Sequence, residues 1–78
     1  MIRELDAVAL TRDIVEHELK RGDVGAVVHS YKDGVAFEVE FVSAEGSTVA
    51  LLTLQPQDIR PVGGSEILHV RELTRAVG

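Results

Sequence analysis

The sequence predicts a small, mainly β fold, a five-stranded antiparallel barrel followed by a C-terminal amphipathic helix or tail. Three observations predict it. Phe37, Val39 and Phe41 alternate with Glu38 and Glu40, the period of two that belongs to a half-buried strand. Asp33-Gly34 is a strong hairpin signal, because a tight turn of type I′ needs positive φ at both central residues and this pair tolerates it. Gln55-Pro56-Gln57-Asp58 interrupts the last apolar run, since proline donates nothing to a ladder, and leaves only Ile59-Arg60-Pro61-Val62 to close the sheet.

Each element follows in order. In residues 2–10 a helical face through Ile2, Leu5 and Ala9 competes with a short strand over 6–11, and the strand is preferred. Residues 13–21 are dense in charge, with Ile14, Val15 and Leu19 as isolated apolar points, and read as a long loop pinned to the barrel. Gly22-Asp23 makes a turn. The next strand runs over about 24–31, with Gly25 placed where a strand bends sharply or another backbone comes close. After the Asp33-Gly34 turn comes the alternating strand, then a second hairpin loop over 43–47. Residues 48–54 are apolar on both faces, which predicts a central strand covered on one side by the core and on the other by the tail, a loop or a second subunit. Residues 55–58 form one helical turn and 59–62 a closing edge strand. Gly63-Gly64-Ser65 has linker composition, and Ile67, Leu68, Val70, Leu73 and Val77 then recur at spacings of three and four. That spacing predicts a short amphipathic helix capped by Ser65, too short to persist unless it docks. Two hairpins, a long first loop and a helical turn before the last strand together describe an SH3-like barrel, with a five-stranded open roll of another topology as the alternative. The division is 1–62 for the barrel and 63–78 for the linker and amphipathic segment.

Composition narrows the function. With 78 residues and no cysteine, the chain is one domain without disulfides, thiolate metal sites or a cysteine nucleophile. No apolar run approaches the roughly 20 residues of a membrane span, and no signal peptide is read, so the expected location is the cytoplasm. The formal net charge of −5, spread along the chain, opposes phosphate-backbone binding and favours solubility or association with a basic partner.

The run Leu19-Lys20-Arg21-Gly22-Asp23-Val24-Gly25-Ala26-Val27-Val28, with Phe37-Glu38-Val39-Glu40-Phe41, Thr48-Val49-Ala50-Leu51-Leu52-Thr53-Leu54 and Asp58-Ile59-Arg60-Pro61-Val62, resembles a family of small bacterial proteins classed as a domain of unknown function. The resemblance covers about residues 5–62 and implies the SH3-like fold. It offers no catalytic residues to carry over. The small size of such proteins, and their habit of being encoded beside other short reading frames, imply an antitoxin or immunity role. The Gly22–Val27 segment also resembles, more loosely, the turn of KOW and Tudor-like barrels, which implies a nucleic-acid-binding module as the alternative; the acidic charge and scarce aromatics depart from that pattern.

Glu38 and Glu40 share one outer face, where paired carboxylates serve as acid and base, hold a divalent ion or meet a basic protein; their ordinary role is to solubilise an exposed strand face. His17, His29 and His69 have no ligand spacing, so a metal-dependent hydrolase built from Glu38, Glu40 and a histidine is the remotest reading. Lys20, Arg21 and Lys32 make a small basic spot outnumbered by Asp13, Glu16, Glu18, Asp23 and Asp33. The expectation is therefore a non-catalytic protein-binding module without a cofactor, with a toxin-like partner. Its binding residues are Glu38, Glu40, Ile67, Leu68, Val70 and Leu73. Two surfaces, the 48–54 strand and the C-terminal segment, are candidates for homo-oligomerisation.

Overall fold

A computed structural model describes residues 2–73. The described chain is mainly β, with strands β1 (Ala7–Leu10), β2 (Val24–Tyr31), β3 (Ala36–Val42), β4 (Thr48–Leu54) and β5 (Ile59–Pro61). Two 3-10 turns, Val15–His17 and Pro56–Asp58, complete it. All pairings are antiparallel, in the order β4-β3-β2-β1-β5. The ladder is not closed, because β4 and β5 form its two edges.

Alternation along each strand builds the core. Val8 and Leu10 from β1, Val27 from β2, Phe37, Val39 and Phe41 from β3, Ala50 and Leu54 from β4 and Ile59 from β5 enter one buried cluster. Residues from both edge strands meet in that cluster, so the sheet wraps around it. Ile14 and Leu19 join it from the first loop, where they pair across an isolated bridge, while Val15 points to solvent. The loop is thus pinned at two apolar points.

The first hairpin turns one residue earlier than the Asp33-Gly34 signal suggests. Lys32 and Asp33 have φ of 43° and 57°, and the Gly34 N–H donates to Tyr31 O at 3.0 Å. Lys32-Asp33 therefore take the central positive-φ places. Gly34, at φ 100°, and Val35 complete a four-residue loop that places Ala36 opposite Tyr31.

Two expectations are corrected. Strand β4 is an edge, not a central strand: the closing strand has only three residues and pairs with β1, leaving Leu51 52% exposed on the outer face of β4. No C-terminal helix forms over 66–73, which runs without regular structure; Val77 lies outside the described residues. Two ion pairs fix points along this path. Glu66 is held by Arg60, at 2.9 Å from Nη1 to Oε1 and 2.8 Å from Nη2 to Oε2, and it also accepts the Gly63 N–H at 2.6 Å. Arg71 is held by Asp23. The five steps from Glu66 to Arg71 span about 17 Å when extended but about 7.5 Å as a helix. A segment of this length has too little helical stability of its own to resist such fixed points.

Candidate functional site

The outer face of the sheet carries Glu38 and Glu40 as the alternation predicts, but both are tied to neighbours. Glu38 Oε1 accepts the Thr53 hydroxyl at 2.7 Å and the Tyr31 phenol at 3.3 Å, and Glu40 Oε2 accepts Thr48 Oγ1 at 2.6 Å. The Glu38 charge, then burial and the hydrogen bond, raise the Tyr31 phenol above its ordinary range. His29 lies opposite Glu38, packs edge-on against Tyr31 at 4.5 Å and approaches Glu4 at 3.3 Å. These carboxylates knit strands together across the ladder. His17 sits in the first 3-10 turn and His69 in the C-terminal segment, on elements separate from β2. Among the described residues no group of three His, Cys, Asp or Glu is arranged to hold a metal ion.

The C-terminal residues singled out by spacing divide into two kinds. Ile67, Leu68 and Val70 are exposed, at 92%, 64% and 90%. Leu73 is half-buried and lines an open groove of about 280 Å³. The groove runs between the segment and the ends of β2, β3 and β4, with Leu19, Asp23, Val24, Phe41 and Val49 on the sheet side and Val70 and Arg71 on the other.

Asp23 forms the polar end of this groove. Its Oδ2 accepts the Lys20 N–H at 2.8 Å, and its own N–H donates to Lys20 O at 2.9 Å, so the turn fixes the carboxylate before any ligand arrives. Arg71 meets it with two parallel hydrogen bonds, Nε to Oδ1 at 2.8 Å and Nη2 to Oδ2 at 2.5 Å, and Nη2 also donates to Glu18 O at 3.0 Å. The side chains are 25% and 18% exposed, so solvent screens this pair less than an ordinary surface bridge.

A family model described as "Domain of unknown function (DUF4926)" matches residues 4–61, well over half of the chain. The chain belongs to the DUF4926 family. No curated protein and no solved structure matches it. The matched span contains Asp23 and every strand of the DUF4926 domain, whereas Arg71 lies beyond it. Sequence reasoning assigned Asp23 to a turn and missed its second role, because its partner is 48 positions away and no local periodicity links them.

Acid is expected to undo this docking. Burial raises the Asp23 pKa, but the Arg71 hydrogen bond, the Lys20 N–H and the charges of Arg71 and Lys20 outweigh it, and the net shift is downward. A carboxyl whose folded pKa lies below its unfolded value stabilises fully above about 3.9, and the contribution disappears as pH falls through the depressed folded value. Amide resonances of 66–73 should move toward random-coil positions on acidification below the usual aspartate range, before the strand resonances do. A segment that stays docked until the strands themselves melt would contradict this.

Proposed function

We propose that this DUF4926 chain is a non-catalytic protein-binding module, an SH3-like barrel of the bacterial cytoplasm that neutralises a partner encoded nearby as an antitoxin or immunity protein. The observation that carries the reading is the exposure of Ile67 and Val70, at 92% and 90%, on a segment fixed at Glu66 and Arg71. Fully burying each such side chain against a partner would contribute about 1.5–3 kcal/mol. The strand order β4-β3-β2-β1-β5, with a 3-10 turn before the last strand, supports the SH3-like arrangement.

The test is recovery of the untagged protein from its native source at native levels. A stoichiometric protein partner is expected with the wild-type chain, and Ile67→Asp with Val70→Asp should lower its recovery at least about tenfold. The melting temperature should hardly change, since both side chains are almost wholly exposed in the free chain. Recovery of a monomer alone, in every growth condition, would count against the reading.

A further inference from the structure

We infer that the groove beside Asp23 is a recognition site for an extended, arginine-bearing segment of a protein partner, and that residues 66–73 occupy it in cis until such a segment displaces them. The inference rests on the protein-binding reading and gives the partner its chemistry.

The receptor half of the contact is complete within the family-matched span. Asp23 is held by the turn through Lys20, the Glu18 carbonyl stands beside it, and Leu19, Phe41 and Val49 supply an apolar wall. Three acceptors around one side chain, two carboxylate oxygens and a carbonyl, engage Nε and Nη2 together and so match the fork of a guanidinium and not the point charge of an ammonium. The segment seated there shows what the site accepts: Arg71 on Asp23, and two residues on, Leu73 against the groove. Between Arg71 and the surface clamp of Glu66 on Arg60, Ile67 and Val70 add little to the segment's hold, being almost wholly exposed. It is joined to β5 through Gly63-Gly64, where a side chain added at Gly64 would meet nothing within 4 Å. The cis segment therefore acts as a tethered competitor, present at an effective concentration on the order of millimolar. A partner segment offering the same arginine with additional apolar contacts displaces it. The net charge of −5 favours approach of such a basic segment.

The test uses the full chain carrying Arg71→Ala, which removes the competitor's charge, and a synthetic octapeptide of the sequence of residues 66–73 as probe. Amide shifts of Asp23, Val24, Phe41 and Val49 should saturate on titration. Affinity should be at least about tenfold higher than for the wild-type chain. A peptide with alanine in place of arginine should lose at least about tenfold, and one with lysine should also weaken. Adding Asp23→Asn to the receptor should abolish the response. Because Asp23 also braces its turn, Val49→Ala in the same background serves as the second variant; it trims the apolar wall without burying a charge against the core and should weaken binding with the turn intact. Equal affinity for the wild-type and Arg71→Ala chains, or for the arginine and alanine peptides, would overturn the inference. So would a wild-type dimer that Arg71→Ala converts to a monomer, which would make a second copy the occupant. Undiminished partner recovery with Asp23→Asn would also refute the groove while leaving the protein-binding reading in place.

Discussion

Phe41→Ala is expected to cost about 3–5 kcal/mol of folding stability, as complete removal of a buried aromatic ring does. The ring is 2% exposed, stands opposite Ala50 on β4 and joins the cluster shared by all five strands. No neighbour is placed to fill the gap cheaply, since strand ladders on both sides hold the backbone of β3. Domains of this size have about 5–15 kcal/mol to lose, and each kcal/mol shifts the melting midpoint by about 4–8 °C. Thermal and urea denaturation followed by circular dichroism should therefore show a fall of at least about 12 °C, or no folded baseline at all. Phe41→Leu retains much of the volume and should cost less than half as much. A loss below about 1 kcal/mol for the alanine variant would mean that β3 does not form the centre of the core.

The sheet was legible because its signals are local. A period of two at Phe37, Val39 and Phe41 is written in adjacent letters, and these three side chains are buried while Glu38 and Glu40 face outward. Strands Val24–Tyr31 and Thr48–Leu54 begin and end where turn residues and proline bound their apolar runs. The binding groove was not legible in the same way. Asp23 and Arg71 are 48 positions apart, and only the folded sheet brings them together. The helical spacing of Ile67, Leu68, Val70 and Leu73 describes a helix that only docking could stabilise, and the segment is instead held at Glu66 and Arg71 without regular structure. Misplacing β4 at the centre has a related cause. Apolar residues on both faces of a strand usually mean two-sided cover, yet Leu51 is left about half exposed, at 52%.

These differences share a physical basis. Hydrophobic periodicity reports which side of an element faces a core, and it does so whether that core is the chain's own or a partner's. Leu51, Ile67 and Val70 carry apolar signals that this chain leaves exposed. Such side chains, gathered on an edge strand and on a tethered segment, fit surfaces whose cover arrives with another molecule.

Gly25 provides the sharpest test of the packing beneath the groove. A Cβ added there would lie 2.7 Å from Val39 Cγ1, 2.9 Å from Phe41 Cε1 and 2.9 Å from the Glu40 carbonyl oxygen. The two side chains are core residues without room to retreat, and Glu40 belongs to the β2–β3 ladder, opposite Ala26. Relief thus requires moving a strand. Overpacking typically costs 1–3 kcal/mol, and here the backbone contact places Gly25→Ala at or above about 3 kcal/mol, with Gly25→Val worse. Gly46 makes the discriminating control, since it has φ +90° but nothing within 4 Å of an added Cβ. Its replacement by alanine incurs only the left-handed backbone cost, about 1–2 kcal/mol. Urea denaturation of the two alanine variants should rank Gly25 as clearly the more damaging. Equal midpoints would show that β2 and β3 are not in the close contact on which the position of Asp23 and the apolar wall of the groove depend.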